Sequence, residues 1–203
     1  MNLIFDLDGT LICAKERLFT LFSDLVPESK LTFEQYWDLK FSRLTNLDIL
    51  NHKFGYSKSD QAAFESNWMA SIEDESYLSM DKPIVGVFSY LDSIKCFHNL
   101  YLCTNRQFKD QLFEQLTRLD LLGFFIRVLV TEQKKSKIEL IESEVENLSG
   151  VDWLIGDTGK DMQAGKALKL RTCAVLSGFM NRTSLIEYQP DLIVDDVTLL
   201  KIE

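Results

Sequence analysis

Asp6 and Asp8 stand two positions apart, directly after the apolar run Leu3-Ile4-Phe5 and directly before Gly9-Thr10. Three apolar residues with little ahead of them spell a short buried strand. In extended chain, residues i and i+2 face the same side, so the two carboxylates are expected to converge if that geometry persists past Phe5. Carboxylates that close repel each other unless a cation or a shared proton lies between them. An acidic pair at the end of a buried strand is therefore costly unless it is used.

Other polar residues fall at equivalent places along the chain. Thr104, Asn105 and Arg106 follow the run Leu100-Tyr101-Leu102-Cys103. Asp157 and Asp161 follow Trp153-Leu154-Ile155 in the stretch Gly156-Asp157-Thr158-Gly159-Lys160-Asp161. Lys134, Lys135 and Lys137 follow Ile126 to Val130 by way of Thr131. Four acids, a hydroxyl and at least one ammonium suit a hard divalent cation with oxygen ligands and an incoming phosphate. Each group also has a plainer reading. Asp157 and Asp161 are what a helix N-cap and first-turn acid look like. Asn105 could cap the helix after it, and Arg106 could be a solvated charge. Gly159-Lys160 resembles the end of a phosphate-binding loop, but the glycine spacing is wrong for one. His52 and His98 have no partner pattern for catalysis or metal binding.

The elements that must position these groups alternate. From Pro83 onward, helical patterns (85–97, 107–119, 137–148, and one after Gly156 through Leu170) alternate with short apolar runs at 100–103, 126–130, 153–155, 172–176 and 192–194. That alternation predicts βαβ units and a mostly parallel sheet covered on both faces. In such sheets ligands bind beyond the carboxyl ends of the strands, where all the polar groups above lie. Residues 14 to 81 break the alternation. They carry helical patterns at 14–26, from Phe33 through Leu50 behind a Thr32/Gln35 capping box, and from Ser59 through Ile72. The block is expected to be a helical insertion after the first strand. Its aromatic stripe, with Ala62, Ala63, Phe64, Trp68, Met69 and Ile72, is expected to be core packing. Lys40, Arg43, His52 and Lys53 are read as a solvated face.

Bulk properties narrow the field. The chain has 203 residues and is 46% hydrophobic and 26% charged, enough for one sizeable core with an inserted subdomain. A net charge of -9 argues against a nucleic-acid binder, which would carry a basic face. No run approaches the roughly 18 apolar residues of a membrane span, and the amino terminus lacks a basic n-region. With no CxxC among Cys13, Cys96, Cys103 and Cys173, the expectation is reduced thiols and a cytoplasmic location.

These motifs resemble the haloacid dehalogenase-like (HAD) superfamily of phosphohydrolases. Asp6-Leu7-Asp8-Gly9-Thr10 is similar to its DxDGT motif, Thr104 to its strand-terminal Ser/Thr, and Gly156 to Asp161 to its GDxxxD motif. Ala164-Gly165-Lys166-Ala167 and Val175-Leu176-Ser177-Gly178-Phe179 resemble the phosphoglycolate-phosphatase-like branch. The resemblance implies a Rossmann-like parallel α/β core over 1–13 and 82–203, with an all-helical type-1 cap domain over 14–81. It implies a Mg²⁺-dependent phosphatase of a small soluble phosphomonoester, with Asp6 as nucleophile and Asp8 as general acid and base. Asp6, the Asp8 backbone carbonyl, Asp157 and Asp161 would hold the metal. Thr104, Asn105 through its backbone N–H, and a lysine would bind the phosphoryl oxygens. The Lys-Pro pair common in the family is missing, so the lysine is assigned to Lys137, with Lys135 as the alternative. A sugar-phosphate mutase on the same fold and a phospho-accepting signalling domain are the competing readings. The helical block counts against the second, and the complete acidic set counts against a non-catalytic binding relative. Nothing in the sequence bears on oligomeric state or on the identity of the substrate.

Overall fold

The computed structural model describes residues 1–202. In chain order the strands and helices are β1 (Asn2–Phe5), β2 (Ile12–Cys13), α1 (Lys15–Leu25), α2 (Phe33–Phe41), α3 (Asn46–Ile49), α4 (Lys58–Ser71) and α5 (Glu75–Leu78). They continue with β3 (Lys82–Pro83), α6 (Val87–Ile94), β4 (Asn99–Thr104), α7 (Lys109–Arg118), β5 (Arg127–Val130) and α8 (Lys137–Glu144). The last are β6 (Trp153–Gly156), α9 (Gly159–Ala167), β7 (Arg171–Val175), α10 (Arg182–Ile186) and β8 (Leu192–Val194). The chain divides into two compact units, residues 1–13 with 82–203, and residues 14–81.

In the first unit six strands form a parallel sheet in the order β5-β4-β1-β6-β7-β8. Strand β1 lies inside it, with Leu3 in register with Leu100 on one side and Trp153 on the other. Its side chains alternate as the pleat requires. Leu3 and Phe5 pack with Leu91 of α6 and Leu112 and Leu116 of α7, whereas Ile4 packs with Leu140 and Ile141 of α8 and Ala164 of α9. With both faces covered, the strands can be apolar throughout. The chain leaves β1 toward β4 and β5, then returns on the other side through β6, β7 and β8. The reversal puts a switch point at the carboxyl ends of β1 and β6, where ligand crevices form in sheets of this kind. A second, two-stranded sheet pairs β2 with β3 antiparallel, with Ile12 opposite Pro83 and Cys13 opposite Lys82.

The second unit is helical. A ring cluster of Phe22, Tyr36 and Phe64 joins α1, α2 and α4, and a buried ion pair ties Arg17 Nε to Asp81 Oδ1 at 3.0 Å. The Thr32/Gln35 capping box opens α2 as expected. The single helix expected through Leu50 is broken instead. Arg43 takes φ +69°, and a second capping box, Thr45 with Asp48, starts α3. A π-helical turn over Leu50–Phe54 then ends at Gly55 in the left-handed conformation. The stripe on α4 is also narrower than expected: Gln61 and Phe64 are buried, Trp68 is half-buried, and Ala62, Ala63 and Met69 are exposed. The alanines there favour helix without filling a core. Lys40 is half-buried rather than solvated, and its Nζ donates to Asn46 Oδ1 at 3.1 Å beside the Tyr36 hydroxyl. Burial pulls this lysine down to about 8, against the attraction of Asp48.

Two expected helices in the first unit run too long. Helix α8 stops at Glu144 because Val145 turns extended and enters the core, and α9 stops at Ala167, with Lys169 at φ +57°. No helix among the described residues is long and apolar enough to cross a membrane.

Candidate active site

Asp6 follows the last residue of β1 and continues its ladder, its N–H donating to Ile155 O at 2.8 Å. The chain then turns sharply: Leu7 O accepts from the N–H groups of Thr10, Leu11 and Ile12. Extended geometry therefore ends before Asp8, and the two carboxylates part company instead of converging on one cation.

The Asp6 side chain is buried, and its Oδ1 accepts from Lys137 Nζ at 2.6 Å. Lys137 is the first residue of α8, held by the Ser136/Glu139 capping box. Its Nζ also donates to Asp161 Oδ1 at 2.6 Å. Lys135, the other candidate, is exposed. Asp161 Oδ2 meanwhile accepts from the backbone N–H and hydroxyl of Thr158, so this acid caps α9 with one oxygen and meets Lys137 with the other. The plainer reading of Asp161 as a first-turn acid therefore holds, whereas the N-cap of α9 is Thr158 and not Asp157.

Asp157 follows β6 and is wholly buried. Its Oδ2 accepts from Phe179 N at 2.7 Å, whereas Oδ1 is buried with no hydrogen-bond partner among the described residues. Space for this carboxylate comes from two glycines. A Cβ on Gly9, which sits at φ +85°, would lie 2.5 Å from Asp157 Oδ2, and a Cβ on Gly178 would collide with the same carboxylate. The Ser177 hydroxyl bonds Gly9 O at 2.6 Å, joining the loop after β7 to the loop after β1.

Oxygens of Asp6, Asp157 and Asp161 come within 4.8 Å of one another. Burial pushes the Asp6 carboxyl up to about 7; Asp161 and Asp8 add repulsion, and Lys137 opposes them. Asp157 is raised by burial and by its two acidic neighbours. Burial works against the Lys137 ammonium, yet Asp161 and Asp6 outweigh it and hold it above the ordinary lysine range. Three carboxylates against one ammonium leave negative charge uncompensated, and Asp157 Oδ1 is an orphaned acceptor. An all-oxygen donor set with these two deficits fits a hard divalent cation.

Thr104 is the last residue of β4 and is buried, and Asn105 is exposed, with its backbone carbonyl accepting from Gln133 Nε2 at 2.8 Å. Asn105 does not cap the next helix, whose N-cap is Phe108. The Asp8 carboxylate is held elsewhere. Arg106 Nε donates to its Oδ2 at 2.7 Å and Nη2 to its Oδ1 at 2.8 Å. Arg106 is buried, not solvated, and is the residue that sequence reasoning undervalued. The available signal was its place two residues after a strand-terminal threonine in a site with four acids and few cations.

The model of the haloacid dehalogenase-like hydrolases matches residues 3–175, a span that includes every residue of the site just described except Ser177, Gly178 and Phe179. No curated protein sequence matches the chain. Among solved structures, a haloacid dehalogenase-like family hydrolase from Streptococcus pneumoniae superposes with a TM-score of 0.76 at 19% identity, over 96% of this chain and 93% of its own. A predicted phosphoglycolate phosphatase from Haemophilus somnus gives 0.74 at 16% identity, over 96% and 93%. A HAD hydrolase from Bacillus subtilis bound to magnesium gives 0.66 at 20% identity, over 96% and 94%. At these identities the structures establish the fold, and the family model covers most of the chain. The protein belongs to the haloacid dehalogenase-like hydrolase family.

Proposed function

We propose that the protein is a Mg²⁺-dependent phosphatase that hydrolyses a small soluble phosphomonoester through an aspartyl-phosphate on Asp6. The observation that carries this reading is the Asp6 carboxylate, buried against Lys137 and set beside Asp157 and Asp161, three acids that a single ammonium leaves short of positive charge. An oxygen of Asp6 attacks phosphorus, forming the acyl–phosphate bond as the ester oxygen departs. Asp8 gives that oxygen a proton, and then takes one from the water that attacks the aspartyl-phosphate, releasing inorganic phosphate and restoring Asp6. Lys137 supplies positive charge for the phosphoryl oxygens, and the Thr104 hydroxyl and the Asn105 backbone N–H serve as further donors to them. A Mg²⁺ ion held by Asp6, the Asp8 backbone carbonyl, Asp157 and Asp161 would relieve the repulsion between carboxylate and phosphate and draw charge from the transferring group. The helical unit over 14–81 acts in this reading as the cap that selects the leaving group. The magnesium in the Bacillus subtilis relative supports the choice of metal.

The test is phosphate release from purified protein across a panel of phosphorylated metabolites with Mg²⁺. Asp6→Asn is expected to abolish release while the protein stays folded, and chelation to abolish it reversibly. Turnover that survives either treatment would overturn the mechanism. Conversion of a sugar phosphate to its isomer without phosphate release would favour the mutase reading.

A further inference from the structure

Asp8 stands two residues from Asp6, yet its carboxylate is not part of the cluster of Asp6, Asp157 and Asp161 and pairs with Arg106 instead. Arg106 meets it through two parallel bonds, Nε to Oδ2 at 2.7 Å and Nη2 to Oδ1 at 2.8 Å, the fork geometry that fixes direction as well as distance. The guanidinium is itself fixed. Its Nη2 also donates to Gln115 Oε1 at 3.1 Å, and Gln115 is buried on α7. The Arg106 backbone carbonyl accepts from Glu132 N at 3.0 Å, tying the loop after β4 to the loop after β5. A guanidinium only 4% exposed is costly to bury, and a buried ion pair is weak as a source of stability. Its orientation therefore points to use.

We infer that Arg106 is the positioning residue for the acid–base group Asp8. It fixes the plane of the carboxylate from both oxygens and holds it for proton transfer. The inference rests on the phosphatase reading. A lysine, being a single point charge, could not set the plane of the carboxylate in this way. Gln115 serves the same end one bond further out.

The test is a double-mutant cycle between Arg106→Gln and Asp8→Asn in the full chain with Mg²⁺. It is read as kcat/KM on an alkyl phosphate, whose leaving oxygen needs a proton, and on 4-nitrophenyl phosphate, whose leaving group needs little help. Arg106→Gln is expected to cost about 10²-fold on the alkyl ester, in line with loss of acid–base help, and much less on the aryl ester. Added to Asp8→Asn it should cost little more, and inhibition by inorganic phosphate should not change. Arg106→Lys and Gln115→Met, which disturb the fold less, should show smaller losses with the same leaving-group dependence. Multiplicative losses in the double variant, equal losses on both esters, or weakened phosphate inhibition would overturn the inference and leave the phosphatase reading intact. Wild-type protein inert toward both esters and toward a metabolite panel would overturn that reading, and this inference with it.

Discussion

At Asp6 the cost of burial outweighs the pull of Lys137, and the balance has a consequence that pH reveals. The folded-state value of about 7 lies above the ordinary 3.8, so between those values the folded protein holds a proton that the unfolded chain has lost. The cost is absent below about pH 4, grows up to about pH 7, and is constant above it. Metal-free wild-type protein should therefore lose stability relative to Asp6→Asn as pH rises through that window, by at most about 1.4 kcal/mol per pH unit. Saturating Mg²⁺ should remove the slope by compensating the carboxylate. Thermal unfolding of both proteins from pH 4 to 8, with chelator and with Mg²⁺, checks this; parallel profiles in chelator would contradict it. Asp157 belongs to the same balance, with one oxygen satisfied by Phe179 N–H and one left over.

At the scale of elements, the site is made of strand ends and helix starts. Asp6, Thr104 and Asp157 sit at or just beyond the ends of β1, β4 and β6, and Lys137 and Asp161 sit in the first turns of α8 and α9. Capping boxes at Ser136 and Thr158 settle where those helices begin, and hence where the ammonium and the carboxylate stand. The loop after β7 does a different job: Gly178 leaves room for Asp157 while Phe179 N–H holds it. Gly178→Ala should displace that carboxylate and weaken Mg²⁺ activation by about 10- to 100-fold, the usual cost of disturbing a group behind a metal ligand. Titration of activity against Mg²⁺ measures the shift, and an unchanged half-saturation would show that Asp157 is not held this way. The strand ends and the Thr32/Gln35 cap of α2 were legible because their signals are local: apolar runs closed by polar residues, and a Gln three residues after a Thr. The sequence pattern puts the cap of α9 one residue early, at Asp157, whereas Thr158 is the N-cap and Asp157 is buried against Phe179 N–H. The break in the helical unit at Arg43 was missed because an apolar stripe running through Leu44 and Leu47 masked the Thr45/Asp48 box.

At the scale of the whole molecule, residues 14–81 are inserted between β2 and β3, which pair antiparallel and bring Cys13 opposite Lys82. Ends that close can be joined by a short turn, and the helical unit has its own packing in the Phe22, Tyr36 and Phe64 cluster and the buried Arg17–Asp81 pair. Replacing residues 14–81 by a short turn should leave an α/β unit that unfolds cooperatively and hydrolyses 4-nitrophenyl phosphate weakly with Mg²⁺. Its preference among phosphorylated metabolites should be lost. Circular dichroism melts and the metabolite panel test this together. Retention of the full wild-type preference would show that specificity lies within the α/β unit.

The sequence alone determined the alternating core, the helical insertion and the acidic motifs, because each rests on periodicity or short spacing that neighbouring residues enforce. It also put Lys137 ahead of Lys135 as a phosphate-binding lysine; that its ammonium meets Asp6 and Asp161 came from the fold. Only the tertiary structure decided what each charge faces. Asp6 and Asp8 look like one pair along the chain, yet the turn at Leu7 sends the first to Lys137 and the second to Arg106. Pairings across 131 and 98 residues depend on how the strand ends line up and on which cations are buried beside them. No local pattern carries that information.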